Sequence, residues 1–214
     1  MLNVALLGFG RIGQMHAENI HNHKNLKLLY IYEKVDKLSI KAKNKYNCNI
    51  ENNYINIFKN INVDIIFIST PTNTHIKFIE EGIKYKKIIF CEKPLDLDIK
   101  KITKTYKKIK RNNLKIQLGF NRRYDPGHYS IKKDLDKDKI GRLEKIIITS
   151  RDPAPPPASY LKVSGGIFKD MMIHDFDLCR LYLGNDEIKE IYATTSSFTK
   201  FYKKIKDHEL AIVT

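Results

Sequence analysis

With 214 residues, of which 42% are hydrophobic and 29% charged, the chain is long enough to bury a sizeable core and has the composition of a globular protein. No apolar run reaches the length of a transmembrane helix, and the N-terminus lacks the basic flank and cleavage site of a signal peptide. The three cysteines are scattered, which favours reduced thiols over a disulfide framework or a metal site. We therefore expect a cytoplasmic protein with no metal and no membrane contact.

The net charge of +15 suggests a nucleic-acid partner, but the distribution of the charges argues against one. Only seven of the 39 basic residues are arginine, the residue best suited to bind phosphate in a bidentate way. The densest basic run, residues 100–111, carries Ile102, Tyr106 and Ile109 at helical spacing, which predicts an amphipathic helix with a solvated basic face. We expect no nucleic-acid partner.

The first half of the chain alternates apolar runs with helical patterns. Such alternation predicts parallel βαβ units in a doubly wound sheet, a Rossmann-type α/β domain. The predicted strands are residues 3–7, 26–32, 63–69, 87–91 and 115–120, and the predicted helices lie within residues 11–20, 39–46, 74–85 and 97–111.

After Asn121 this rhythm changes, so we divide the chain into residues 1–121 and 122–214. The second part begins with a helix to about residue 138 and contains a proline-rich loop at 152–157, which excludes a helix or a central strand there. We predict an incomplete α+β domain with a mainly antiparallel open sheet. Its elements are strands at 143–150, near 187–197 and at 210–213, and a helix at 168–183.

A glycine motif follows the first predicted strand and opens the first helix. Gly8, Gly10 and Gly13 give the spacing G-x-G-x-x-G, and Glu33 lies 20 residues after Gly13 at the end of the next strand. This context indicates a dinucleotide site, with pyrophosphate at the helix N-terminus and the glutamate on the adenosine ribose. The carboxylate would repel a 2′-phosphate, which favours NAD over NADP. The alternative is a glycine-rich turn without a ligand. The predicted cofactor contacts of the loop are Gly8, Phe9, Gly10, Arg11, Ile12 and Gly13.

Two further turns follow buried strands, at the edge where open α/β sheets bind ligands. The first is residues 69–75, and the second is Glu92-Lys93-Pro94. Lys93 supplies an ammonium that can interact with a reacting oxygen, and its bond to Pro94 suits a cis turn. The alternatives are a simple helix cap and an ordinary turn. From the two turns we predict cofactor contacts by Thr70, Pro71, Asn73, His75 and Glu92.

Asp170 and His174 are four residues apart, which places both side chains on one face of a helix. A carboxylate beside an imidazole makes a general base that works near neutral pH. Taken alone, the pair is weak evidence, because Asp and His at this spacing also occur in surface capping and in ordinary hydrogen bonding.

Six motifs, in the same order, resemble the Gfo/Idh/MocA oxidoreductase family: GFGRIGQMH, STPTNTH, FCEKP, GFNRRYDP, SRDPAPPP and GGIFKDMMIHDFD. The resemblance implies NAD as cofactor and Lys93, Asp170 and His174 as catalytic residues. These three would also contact the substrate, a small polyol with several hydroxyls. Further substrate contacts implied by the resemblance are Arg123, Asp152 and Asp177.

Within the family, SRDPAPPP together with KVSGGIFKDMMIHDFDLCR is most similar to members that oxidise myo-inositol to 2-keto-myo-inositol. Two alternatives stay open: a dehydrogenase of another polyol or sugar, and a non-catalytic NAD-binding fragment. Members of the family continue well beyond Thr214, so we expect a partial second domain here and a homotetramer for the complete chain.

Overall fold

A computed structural model describes all 214 residues, which form two compact units, Met1–Gly119 and Phe120–Thr214. The division falls two residues before the predicted boundary. None of the helices combines the length and apolar character needed to cross a bilayer.

The first unit is a six-stranded parallel sheet with the strand order β3-β2-β1-β4-β5-β6, the doubly wound order of dinucleotide-binding folds. The predicted fold class is confirmed. Strand β3 and helix α3 were not predicted, because two and six residues are too short to show a period. The elements are β1 (Leu2–Leu7), α1 (Arg11–Asn22), β2 (Leu26–Tyr32), α2 (Asp36–Tyr46), β3 (Asn49–Ile50), α3 (Tyr54–Lys59), β4 (Ile65–Ile68), α4 (His75–Lys84), β5 (Ile88–Cys91), α5 (Ile99–Arg111) and β6 (Ile116–Leu118).

The core of this unit lies on both faces of the sheet. Val4 and Leu6 of β1 pack into one apolar cluster, and Ala5 and Leu7 pack into the other; all four side chains are fully buried. Successive residues of a strand point to opposite faces, so this division follows from covering each face with helices. It also explains why the central strands are almost continuously apolar in sequence.

The register of the sheet gathers the sequence motifs at one edge. Leu7, the last residue of β1, pairs with Tyr32 of β2 and Ile68 of β4, and Ile68 in turn pairs with Cys91 of β5. The residues that follow these strands therefore emerge side by side. They are the glycine loop, Glu33, the 69–75 turn and the Glu92-Lys93-Pro94 turn.

The second unit contains four helices and one antiparallel strand pair, β7-β8. Its elements are α6 (Pro126–Asp136), α7 (Ala158–Ser164), α8 (Ile173–Leu183), β7 (Ala193–Ser196), α9 (Lys200–Ile205) and β8 (Leu210–Val213). The predicted strand at 143–150 is wrong, since these residues have no strand structure. A strand requires a neighbour to complete its hydrogen-bond ladder, and β7 and β8 pair only with each other.

The second unit buries little apolar surface. Leu178 is its one fully buried hydrophobic side chain, whereas 15 of its large hydrophobic residues are exposed. Exposed apolar surface on this scale is typical of a region that packs against additional protein.

Burial predicts a clear order of reactivity for the three free cysteines. Cys91 is fully buried, Cys48 is 5% exposed, and Cys179 is half-buried. Burial raises the pKa of all three thiols, and a thiol reacts as its thiolate, so exposure to the reagent decides the order. We expect iodoacetamide at pH 8 to modify Cys179 first in the native protein, as followed by mass spectrometry. Equal rates for Cys91 and Cys179 in the folded state would contradict this packing.

Candidate active site

The glycine loop is held tightly against the turn after β4. Gly8 has φ +92°, and a Cβ there would lie 2.8 Å from the carbonyl oxygen of Ser69. A Cβ on Gly13 would lie 2.1 Å from the carbonyl oxygen of Gly8, whereas a Cβ on Gly10 would meet nothing within 4 Å. Gly8 and Gly13 therefore shape the loop, and the space beside Gly10 is open, as a pyrophosphate at this loop would require.

The remaining residues of the glycine loop, Phe9, Arg11 and Ile12, shape the candidate site mainly with their backbone. The Phe9 side chain is buried and packs edge-on against Tyr46. Ile12 is half-buried and Arg11 is exposed at the first turn of α1. The free backbone N–H groups of that turn suit a phosphate.

Glu33 is fixed beside this loop. Its carboxylate accepts hydrogen bonds from the backbone N–H of Phe9, at 2.7 Å, and of Val35, at 2.9 Å. A carboxylate held at the end of β2 fits the adenosine ribose diol of NAD. The negative charge of Glu33 and the open backbone of the glycine loop are both compatible with NAD.

The 69–75 turn is closed by its own hydrogen bonds. The hydroxyls of Thr70 and Thr74 are 2.6 Å apart, and that of Thr74 donates to the carbonyl of Pro71. Asn73 is exposed, but His75 is buried, with its two ring nitrogens 2.9 Å from the Pro94 carbonyl oxygen and 2.8 Å from that of Thr70. Both ring nitrogens of His75 thus lie against backbone carbonyl oxygens.

The Glu92-Lys93-Pro94 turn follows β5 and contains a cis Lys93–Pro94 bond, as the sequence suggested. A Glu92 carboxylate oxygen lies 2.7 Å from Nε2 of His16 on α1. Lys93 is half-buried.

In the second unit, Asp170 and His174 do not share a regular α-helix. The predicted helix at 168–183 is corrected: residues Ile167–Met171 form a π-helical turn, and α8 begins at Ile173. The N–H of Met172 donates to the carbonyl of Ile167, five residues back, at 2.8 Å. The Asp170 carboxylate accepts a 2.8 Å hydrogen bond from the Tyr160 hydroxyl, and the ring of His174 meets Phe120 edge-on.

Two neighbouring arginines are paired with acids of α8. Arg123 makes a bidentate ion pair with Asp177, with N–O distances of 2.6 to 3.0 Å, and this contact raises the pKa of the Arg123 guanidinium. Arg122 contacts Asp175, which is buried and also accepts a 2.7 Å hydrogen bond from Ser150. The expected substrate residues Arg123 and Asp177 thus contact each other.

The sequence predicted no role for Tyr160, Ser150, Arg122 and Asp175. Tyr160 contacts Asp170, and both Ser150 and Arg122 contact Asp175, and no local sequence pattern indicates these contacts. Asp152, another expected substrate contact, is exposed in the proline-rich loop. No group of three or more His, Cys, Asp or Glu side chains is arranged to hold a metal ion.

A doubly wound sheet with this glycine loop and glutamate defines a dinucleotide-binding Rossmann domain. Residues 2–120 match the oxidoreductase family described as GFO_IDH_MocA, NAD-binding Rossmann fold, and residues 128–214 match the GFO/IDH/MocA C-terminal domain. The chain therefore belongs to the Gfo/Idh/MocA oxidoreductase family, as the motifs indicated, and NAD as its cofactor is confirmed.

Among its relatives, the inositol 2-dehydrogenase of Rhizobium meliloti (strain 1021) is 39% identical over 86% of this chain and 55% of its own length. The crystal structure of a myo-inositol dehydrogenase from Corynebacterium glutamicum superimposes with a TM-score of 0.93 at 36% identity, covering 100% of this chain and 64% of that one. The crystal structure of a scyllo-inositol dehydrogenase from Lactobacillus casei, with bound NAD(H) and scyllo-inositol, superimposes with a TM-score of 0.87 at 31% identity. The match covers 100% of this chain and 65% of that one. The chain spans about 53–62% of the length of the curated relatives it matches.

Proposed function

We propose that the complete protein oxidises myo-inositol to 2-keto-myo-inositol with NAD as hydride acceptor. The observation that carries the proposal is the match, along most of the chain, to a relative named inositol 2-dehydrogenase at 39% identity. The myo-inositol dehydrogenase from Corynebacterium glutamicum, 36% identical and aligned over the whole of this chain, supports the same substrate.

We propose His174 as the general base, which takes the proton of the hydroxyl being oxidised. NAD, when bound, supplies the nicotinamide C4 that accepts the hydride from the same carbon. Asp170 orients and polarises His174 or holds a neighbouring hydroxyl, and Lys93 stabilises the negative charge that develops on the reacting oxygen. The Tyr160 hydrogen bond on Asp170 supports this assignment, because it restricts where the carboxylate points.

The remaining ring hydroxyls would be held by Arg123, Asp177 and Asp152. The mutual ion pair of Arg123 and Asp177 supports a shared site, since a paired guanidinium and carboxylate offer adjacent donors and acceptors. A polyol hydroxyl both donates and accepts, so it can hydrogen-bond to both groups.

Cofactor contacts are proposed for Gly8, Phe9, Gly10, Arg11, Ile12, Gly13, Glu33, Thr70, Pro71, Asn73 and Glu92, and for His75 through the turn it holds. We also propose a homotetramer and a cytoplasmic location for the complete protein. The 15 exposed hydrophobic residues of the second unit support assembly with further protein, and three free cysteines suit a reducing compartment.

Glu33 should determine cofactor choice. Replacing it by alanine removes the ribose hydrogen bonds and is expected to weaken NAD binding by roughly 10- to 100-fold, measured by fluorescence titration. Glu33→Gln is the matched variant: it keeps an acceptor but removes the charge, so NADP binding should improve relative to NAD. An unchanged NAD to NADP ratio in both variants would contradict the assignment.

A panel assay tests the substrate. The complete protein and the 214-residue chain are each supplied with NAD and with myo-inositol, scyllo-inositol or glucose, and NADH is followed by absorbance. We expect the highest kcat/KM with myo-inositol for the complete protein. A higher kcat/KM for another polyol would identify that polyol as the substrate instead. NAD binding without turnover, in both the complete protein and the 214-residue chain, would leave only a cofactor-binding role.

A further inference from the structure

We propose that His16 and His75 are positioning residues for Lys93, holding the Glu92-Lys93-Pro94 turn at its two ends. This inference rests on the proposed catalytic role of Lys93. Both histidines lie in the first unit, and neither needs to touch the cofactor or the substrate.

The first end of the turn is fixed through the Glu92 carboxylate. One oxygen lies 2.7 Å from Nε2 of His16, and the side chains of this pair are only 11% and 19% exposed. The other oxygen accepts a 3.3 Å hydrogen bond from the backbone N–H of Lys93. On a further side the carboxylate lies against Gly119, where a Cβ would come within 3.0 Å of it. Glu92 therefore has little freedom to move.

His16 is itself held in place. It lies on α1, 9% exposed, and its ring packs edge-on against Phe67 and Phe90, with ring centroids 5.6 Å and 5.0 Å away. These two rings stack on each other across β4 and β5. The helix that begins at the glycine loop is thus linked to the turn after β5 through one imidazole.

The second end of the turn is fixed through the Pro94 carbonyl. His75 at the start of α4 is 1% exposed and lies between that carbonyl and the Thr70 carbonyl, at 2.9 Å and 2.8 Å. Both partners are carbonyl oxygens, so the ring can donate an N–H to either of them. The imidazole therefore ties the turn after β4 to the turn after β5.

Lys93 stands between these two anchors. Its backbone N–H contacts the Glu92 carboxylate, and its carbonyl carbon joins it to Pro94. Loss of either histidine frees one end of the turn, so the ammonium would sample more positions. A displacement of about 1 Å in a reacting group can lower a rate by roughly 100-fold.

The accessibility of Lys93 provides a test that needs no enzymatic activity. The 214-residue chain is labelled briefly with an N-hydroxysuccinimide ester, and each lysine is quantified by mass spectrometry, with the exposed Lys24 and Lys100 as internal references. We expect His16→Ala and His75→Ala each to raise the Lys93 rate threefold or more relative to these references. His21→Ala, on the exposed side of α1, is the matched control and should leave it unchanged.

Milder variants keep the test decisive if an alanine variant does not fold. His16→Gln retains a donor to Glu92 and should restore most of the protection, whereas His75→Gln can reach only one carbonyl and should still raise the rate about twofold. Folded variants with the wild-type Lys93 rate would overturn the proposal.

Kinetics of the complete protein separate this proposal from the proposed function. We expect kcat to fall at least tenfold in the His16 and His75 alanine variants, a larger factor than the change in the NAD dissociation constant. If the wild-type protein oxidises no polyol, the proposed function fails, while the labelling still decides whether the histidines hold Lys93. An unchanged kcat in an active enzyme would overturn the positioning role.

Discussion

Replacing His174 by alanine is expected to lower kcat for NADH formation from myo-inositol by about 100-fold or more, because the variant lacks the group proposed to take the hydroxyl proton. NAD affinity should change little, since we assign His174 to the substrate and not to the cofactor. Steady-state kinetics and a fluorescence titration of NAD measure the two quantities separately.

His128→Ala is the matched control, a half-buried histidine of the same unit that hydrogen-bonds to the Tyr182 hydroxyl. It should retain most of the activity. Lys93→Ala is expected to lose a similar factor in kcat to His174→Ala. Near-normal turnover in either catalytic variant would exclude the proposed roles.

Gly13→Ala should be the most damaging small substitution in the cofactor domain. Alanine is favoured over glycine in a helix by only about 1 kcal/mol. Its Cβ would lie 2.1 Å from the carbonyl oxygen of Gly8, a backbone atom that cannot rotate away. We expect the free energy of unfolding to fall by about 1–3 kcal/mol and NAD binding to weaken more than tenfold. Urea denaturation and fluorescence titration measure the two effects.

Gly10→Ala separates folding from cofactor binding. The added Cβ meets no protein atom within 4 Å, so we expect the free energy of unfolding to stay within about 1 kcal/mol of wild type. NAD should nevertheless bind more weakly, because Gly10 borders the approach of the pyrophosphate. Equal unfolding free energies for the two alanine variants would contradict the packing of the loop.

The first unit was largely predictable because each of its signals is local. A buried parallel strand is continuously apolar, and the glycine spacing has one common structural context. The order of the strands and the gathering of Gly8, Glu33 and Glu92 at one edge follow from these signals. What the sequence did not indicate was β3 and α3, whose few residues show no period.

The second unit shows where local signals fail. Residues 143–150 have the composition of a strand, but strand formation depends on a partner that no local pattern specifies. The spacing of Asp170 and His174 suggested one α-helix, whereas the chain forms a π-helical turn before α8. A π turn has no distinctive sequence period, so it was not foreseeable.

The sequence also did not predict which residues the side chains of the candidate site contact. Arg122 and Arg123 looked alike in sequence, and only the structure pairs the first with Asp175 and the second with Asp177. The sequence predicts a cofactor contact for His75 and gives no role to His16. Their contacts with Glu92 and Pro94 join residues 76 and 19 positions apart, which no local pattern reveals.

The proposed activity is tested most directly by supplying the complete protein with NAD and myo-inositol that carries deuterium at C2. We expect deuterium at C4 of the reduced nicotinamide and an equal amount of 2-keto-myo-inositol, both measured by mass spectrometry. NAD binding with no reduced nicotinamide at any concentration of myo-inositol would contradict the proposal.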